Sequence, residues 1–285
     1  MRVVLRRGTS GDATTAGEIC YRSFKTIAEA HNFLPDVPSP EAGVGLVSHM
    51  IGHEGIFDVI AELDGRVVGS NFLDERDSIS GIGPITVDPS VQNAGVGRAL
   101  MNEVMRRSEE RGFAGTRLVQ AGYHNRSLAL YLRLGFFARE QLVCLQGPVL
   151  GQAVSGHAVR PVGANDVTAC NQLCFRVHGH HRGRELQDAI RQGGAMLVER
   201  QGRITGYATS ISFFGHAVGE SDDDLKALIS AAPSFAGPGF LMPTRNSELL
   251  RWCLAQRLRI SYTMTLMTIG LYNKPDGKWL PSILY

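Results

Sequence analysis

Residues Ile85-Thr86-Val87-Asp88-Pro89-Ser90-Val91-Gln92-Asn93-Ala94-Gly95-Val96-Gly97-Arg98-Ala99-Leu100 constrain the fold more than any other stretch of the 285-residue chain. An apolar strand stops at Pro89, and the chain re-emerges as a helix through a glycine turn. Gly95 and Gly97 carry no Cβ where an anion would approach the main chain. The helix that starts there offers free N–H groups and the positive end of its dipole. Arg98 adds a full positive charge. The spacing Gln-x-x-Gly-x-Gly is neither G-x-x-x-x-G-K-[ST] nor G-x-G-x-x-G, so the ATP and dinucleotide fingerprints are both excluded. A phosphate cradle is the sharp reading of this stretch, and an ordinary strand–turn–helix corner is the plain one.

Any preference for an anion has to come from such a local feature, because the net charge of +2 is too mild to argue for nucleic acid or a membrane surface. The opening Met1-Arg2-Val3-Val4-Leu5-Arg6 has no apolar signal core, and no run approaches the ~18 apolar residues of a membrane span. The expectation is a cytoplasmic chain. Cys20, Cys144, Cys170, Cys174 and Cys253 are odd in number and scattered, which argues against a disulfide framework. Cys170 and Cys174 share a helix face, but no second Cys or His pair stands at zinc spacing, so no metal is expected. His178-Gly179-His180-His181 reads as a solvated loop.

The length suggests about two domains of the usual size of roughly 100–200 residues. Val3 to Arg7 predicts a strand, Ala13 to Ala30 a helix capped from Gly11-Asp12, and Glu41 to His53 a second helix after the breaks at Pro35, Pro38 and Pro40. Phe57 to Leu63 and Arg66 to Leu73 form a hairpin about Asp64-Gly65. A central strand spans Ile82 to Val87, and the helix Val96 to Arg111 buries Val96, Leu100, Val104 and Met105. Thr116 to Ala121, a short helix Asn125 to Leu134, and Ala138 to Leu145 complete a first domain, residues 1–146. Residues 147–155 read as linker. Over 156–285 the pattern restarts: Glu199 to Gly206 echoes Glu62 to Gly69, and Asn246 to Leu258 aligns on His124 to Phe136. The copy has lost its centre, for nothing between Gly206 and Pro243 reads Gln-x-x-Gly-x-Gly.

Strand, Val-x-Pro-x-x-Gln-x-x-Gly-x-Gly and amphipathic helix together resemble the acetyl-CoA site of the GNAT superfamily of N-acetyltransferases. Leu130-Tyr131-Leu132-Arg133-Leu134-Gly135-Phe136 fits a second signature of that family without a gap. The resemblance covers residues 1–146 well and the rest as a degenerate copy. It implies an α/β (α+β in some schemes) fold of two GNAT-like domains, each a mixed, mostly antiparallel sheet flanked by helices. It also implies acetyl-CoA as co-substrate. Main-chain groups of Ile85, Thr86 and Val87 would run along the pantetheine arm, one N–H polarising the thioester carbonyl. Gln92 and the amides of Gly95, Val96, Gly97 and Arg98 would hold the pyrophosphate end. Tyr131 would be the acid for the departing thiolate, its plain alternative being an aromatic core residue.

Two departures stand out. The family's Asn seven residues before that Tyr is His124 here, a capping substitute or a candidate base. The glutamate that many members carry on the central strand is absent from Gly81-Ile82-Gly83-Pro84-Ile85. Asp74, Glu75 and Asp77 lie just before that strand, and Glu75 is the candidate to act directly or through water. The leading reading is an enzyme, an acetyl-CoA-dependent N-acetyltransferase acting on a primary amine of a small molecule or peptide by direct attack on the thioester. The alternative is a non-catalytic acetyl-CoA-binding sensor or scaffold. The second half would shape the cleft or a homodimer contact.

Overall fold

Ile82 to Val87, one strand by its sequence, folds as two. Pro84 has no N–H to give a ladder and Gly83 sits at φ +137°, so pairing stops at Ile82 and resumes at Thr86. The computed structural model describes residues 3–284. By packing, these fall into two units: residues 3–118, 123–136 and 284, and residues 119–122 and 137–283.

The first unit runs β1 (Val3–Arg6), α1 (Ala13–Ala30), α2 (Pro40–Gly52), β2 (Ile56–Leu63), β3 (Arg66–Asp74), β4 (Ile79–Ile82), β5 (Thr86–Val87), α3 (Val96–Arg111), β6 (Gly115–Ala121) and α4 (Asn125–Arg133). Strand order is β1-β2-β3-β4-β6, with β5 pairing β3; β4 and β6 are parallel and the other pairs antiparallel. Asp64 at φ +50° and Gly65 at φ +75° make the tight turn that the hairpin β2–β3 requires. On α3 the buried residues are Val96, Leu100, Met101, Val104 and Ser108, a four-residue repeat that seats one face on the sheet. Met101 takes the place expected for Met105, which is half-buried. Ser80 of β4, Ser108 of α3 and Thr116 of β6 close a buried triangle of hydroxyls at 3.2, 2.9 and 2.6 Å. Each satisfies the others, and the triangle ties α3 to the two parallel strands. The opposite face is covered by α1 and α2 through Ala16, Cys20, Val47 and Met50, packed with Ile56, Ile60 and Phe72 of the sheet.

The second unit holds β7 (Phe137–Gln146), β8 (Ala158–Pro161), α5 (Val167–His178), α6 (Gly183–Arg191), β9 (Met196–Arg200), β10 (Arg203–Ala208), β11 (Ala217–Gly219), α7 (Asp222–Ala231), β12 (Phe240–Pro243), α8 (Ser247–Ala255), β13 (Arg259–Gly270) and β14 (Lys278–Leu280). One sheet has the order β14-β11-β10-β9-β8, and β7 lies between β13 and β12. Division by packing thus differs from division by sequence: Phe137–Gln146 counts with the second unit, where β13 pairs its whole length. Residues 147–157 contain no helix or strand.

The repeat is visible in small devices. Arg6 binds Asp12 at 2.8 Å and Glu62 at 2.8 Å; Arg160 binds Asp166 at 2.7 Å and Glu199 at 2.8 Å. Gln201 at φ +51° and Gly202 at φ +71° repeat the Asp64–Gly65 turn. The histidine run corrects one expectation, since only His181 of the three is exposed. His178 and His180 are buried, because Gly179 at φ +75° ends α5 and turns His178 edge-on against Trp279, ring centroids 5.2 Å apart.

Candidate active site

Among the described residues β5 has β3 as its single strand partner, with Ser70 opposite Thr86 and Gly69 opposite Val87. Asp88 N–H donates to the Val68 carbonyl at 2.8 Å, and main-chain groups alternate sides along an antiparallel ladder. Thr86 therefore turns its N–H and C=O to β3, while Ile85 and Val87 turn theirs away. The outward Val87 carbonyl accepts Ser23 Oγ at 2.9 Å and Gln92 Nε2 at 3.5 Å. The outward amides of Ile85 and Val87 are the donors that strand can offer a ligand.

The glycine turn follows directly. Asp88 caps its start, accepting Ser90 N at 2.9 Å and Ser90 Oγ at 2.7 Å, and it pairs with Arg22 at 2.9 Å. Burial pushes the Asp88 carboxyl up, but the bonds from Ser90 and Arg22 outweigh it and hold the group below its usual range. Gly95 caps α3 at φ +82°, a conformation that strains any L side chain. A Cβ on Gly95 would meet no atom within 4 Å, and one on Gly97 would meet only Val87 Cγ2 at 3.8 Å. The turn is open on the side that the first-turn amides of Val96, Gly97 and Arg98 face. No acid stands in that first turn, and Arg98 is exposed with no hydrogen bond or ion pair among the described residues. An anion with several oxygens, such as a pyrophosphate, fits this donor set.

Arg126 is a member of the site that sequence reasoning missed. Its guanidinium reaches from the first turn of α4 to Gln92 Oε1 and, at 3.3 Å, to Asn93 Oδ1. The available signal was its position, since a cation in a helix's first turn opposes the dipole and so asks for a tertiary partner.

The three candidate catalytic side chains have different surroundings. Tyr131, on α4, is 6% exposed and packs edge-on against Phe136 with centroids 6.2 Å apart. Its hydroxyl has no hydrogen-bond partner among the described residues, and burial pushes its pKa up, so it stays a proton donor. His124 is the N-cap of α4 and makes no side-chain cap bond. Burial first, then the charges of Arg126 and His31, lower its pKa to about 4, which keeps the imidazole neutral. Glu75 is committed elsewhere: its two oxygens take Arg107 at 2.6 and 2.9 Å, with Arg111 at 3.7 Å. That carboxylate fastens the β3–β4 loop to the C-terminal half of α3.

The second unit has the corresponding corner with opposite chemistry. Ser221 caps α7 in a closed capping box with Asp224, and Asp222, Asp223 and Asp224 fill the first turn. The amides that α3 leaves open are here satisfied or screened by three carboxylates, which repel phosphate. On α8, Cys253 takes the place corresponding to Tyr131. It is fully buried, and desolvation raises its pKa to about 12, so it is a thiol and not a nucleophile. Among the described residues no cluster of three metal-ligating side chains occurs, and no helix is long and apolar enough to cross a membrane.

The site is thus a mixed sheet with an open glycine turn between the short strand β5 and helix α3. Residues 25–136 match the model of the acetyltransferase (GNAT) family. Solved structures similar over nearly the whole chain share its fold. A Pyrococcus horikoshii protein described provisionally as an acetyltransferase is similar at TM-score 0.72 and 17% identity, over 97% of this chain and 94% of that one. A GCN5-related N-acetyltransferase from Sphaerobacter thermophilus is similar at TM-score 0.60 and 14% identity, over 96% and 97%. A tandem GNAT protein from the clavulanic acid biosynthesis pathway is similar at TM-score 0.56 and 12% identity, over 94% and 98%. No curated protein matches the chain.

Proposed function

We propose that the chain transfers an acetyl group from acetyl-CoA to a primary amine of a small molecule or peptide, at a single site in the first unit. The observation that carries this reading is the open Gly95–Arg98 turn, which follows a strand with outward amides at Ile85 and Val87, together with a Tyr131 hydroxyl that has no hydrogen-bond partner among the described residues. The turn, Arg98, Gln92 and Arg126 hold the pyrophosphate end. An outward strand amide meets the thioester oxygen as it gains charge, an interaction whose loss typically costs ~3–4 kcal/mol. The neutral amine forms the new C–N bond and gives up its proton to water. The C–S bond breaks with the Tyr131 hydroxyl donating a hydrogen bond to the leaving sulfur, and the thiolate takes its proton from solvent.

Neither candidate base serves in this account, because burial lowers the His124 pKa to about 4 and Glu75 is held by Arg107. The amine must therefore arrive neutral. That costs ~4.6 kcal/mol for a lysine-like amine at pH 7 and ~1.4 for an α-amine, so low-pKa amines are the favoured acceptors. The test is release of free thiol from acetyl-CoA with a panel of amines across pH. The rate should rise about tenfold per pH unit up to the acceptor's own pKa, with no inflection near 6.5. Binding of acetyl-CoA without turnover on a broad panel would replace this reading with that of a sensor.

A second expectation arises from the closed corner at α7. Calorimetry should find one acetyl-CoA per chain, and Cys253→Ala should keep turnover within about twofold while costing ~1–2 kcal/mol of stability for the lost buried sulfur. Loss of activity in a folded Cys253→Ala protein would place chemistry in the second unit.

A further inference from the structure

The strand register of the first unit's corner recurs in the second unit, and there the outer edge is filled. Gly69 of β3 stands opposite Val87 of β5; Gly206 of β10, which the repeat lays on Gly69, stands opposite Gly219 of β11. Asp88 N–H donates to the Val68 carbonyl at 2.8 Å, and Glu220 N–H donates to the Thr205 carbonyl at 2.9 Å. Ala217 and Gly219 thus hold the places of Ile85 and Val87 and turn their main-chain groups away from β10. In the first unit no strand pairs with that edge among the described residues. In the second unit β14 does, with Leu280 opposite Ala217 and Lys278 opposite Gly219. It also packs beside β12, which precedes α8 as β6 precedes α4. Lys278 Nζ reaches Asp222, in the first turn of α7, at 3.1 Å. Asn246, the N-cap of α8 and the counterpart of His124, is 3% exposed and donates its side-chain amide to the Trp279 carbonyl at 3.3 Å.

We propose that residues 278–280 are a resident ligand of the second unit: the groove that corresponds to the first unit's cofactor groove is a strand-holding groove, and it takes an extended peptide with a lysine followed by a bulky apolar residue. The correspondence with a cofactor groove rests on the acetyltransferase reading above. Each contact carries the change of ligand. Outward strand amides and carbonyls serve a peptide backbone by strand addition, which needs only main-chain groups on the other side. A first turn with three aspartates repels phosphate and draws the Lys278 ammonium. Trp279 is 1% exposed, edge-on to His178, and its burial fixes the register of the strand.

A segment held as a ligand leaves its groove without unfolding the rest of its unit. Native-state hydrogen exchange on the full wild-type chain should therefore show the amides of Ala217, Gly219, Lys278 and Leu280 opening together, and at least tenfold more often than those of β9. Lys278→Glu should raise exchange at Ala217 and Gly219 at least tenfold further, and Asp222→Lys added to it should recover most of that loss. A tethered strand sits at an effective concentration of about millimolar, so Lys278→Glu is combined with Trp279→Ala to empty the groove. That full-length double variant should bind a synthetic peptide of residues 274–283 one to one and regain slow exchange at Ala217 and Gly219, while the wild-type chain binds none. Exchange of these amides only together with β9 in the wild-type chain overturns the proposal, even if the double variant fails to fold. A folded double variant that ignores millimolar peptide overturns it as well. Absence of acetyl-CoA binding in wild type would instead reject the cofactor reading of the first unit, whereas the exchange and peptide results bear on the strand-holding groove by themselves.

Discussion

Replacing Gly97 by glutamate is expected to weaken acetyl-CoA binding at least a hundredfold without lowering the melting temperature. The protein itself has room, since a Cβ there meets nothing nearer than Val87 Cγ2 at 3.8 Å. A glutamate in the first turn of α3 also favours the helix, by removing a glycine and by placing negative charge at the positive end of the dipole. What it opposes is the ligand. A carboxylate about 5 Å from a pyrophosphate costs roughly 3 kcal/mol per unit charge at an effective dielectric of 20, and that is more than a hundredfold in Kd. Gly97→Ala, with bulk and no charge, should lose about tenfold or less. Calorimetry and a melting curve on each variant settle the matter. Wild-type affinity in the glutamate variant would move the cofactor away from this turn.

Tyr131→Phe should lower turnover about a hundredfold, leave acetyl-CoA affinity within threefold, and leave stability level or slightly higher. The stability half follows from the structure. The hydroxyl has no hydrogen-bond partner among the described residues, so removing it leaves no donor or acceptor stranded. The kinetic half follows from proton chemistry. A phenol of ordinary pKa ~10 passing a proton to a thiolate with a conjugate acid near 8.5 runs uphill by ~2 kcal/mol, and burial raises the phenol further. The hydroxyl acts mainly by hydrogen bonding to the leaving sulfur, which water replaces in part, so the loss sits at the low end of the 10²–10⁴ range for acid–base groups. Since burial moves Tyr131 upward, its protonated form persists through the working range and no tyrosine limb should enter the pH profile. Steady-state kinetics and melting on one preparation decide it; full turnover in a folded Tyr131→Phe protein removes the residue from the mechanism.

Much of the site's frame was legible in the sequence, because it depends on torsions and spacings within a few residues. Asp64-Gly65 demands a tight turn, Gly95 a left-handed cap, and Gly135-Phe136 the end of a short helix; each forms where its residues stand. The repeat was legible for the same reason, through the matching stretches Glu62 to Gly69 and Glu199 to Gly206, whose turns take the same left-handed torsions. The roles of charged and aromatic side chains were not legible at that level. Glu75 read as a candidate base until Arg107, 32 residues on, was found holding it. His124 read as a group near neutrality until burial took it to about 4. His178 and His180 read as solvated until Trp279 closed over the first of them.

The sequence by itself determined that one corner of this protein is an open glycine turn after a strand and that nothing between Gly206 and Pro243 repeats Gln-x-x-Gly-x-Gly. Glycine against aspartate in a helix's first turn is a local fact, carried by the absence of a Cβ in one case and by three carboxylates in the other. Only the tertiary structure decided which edge of that strand is open, that Arg126 steadies the turn, and that Phe137–Gln146 pairs with β13 and β12. These depend on strand register and on contacts between residues tens to hundreds of positions apart. A period-two or period-3.6 pattern says which face of an element is buried but not which partner buries it.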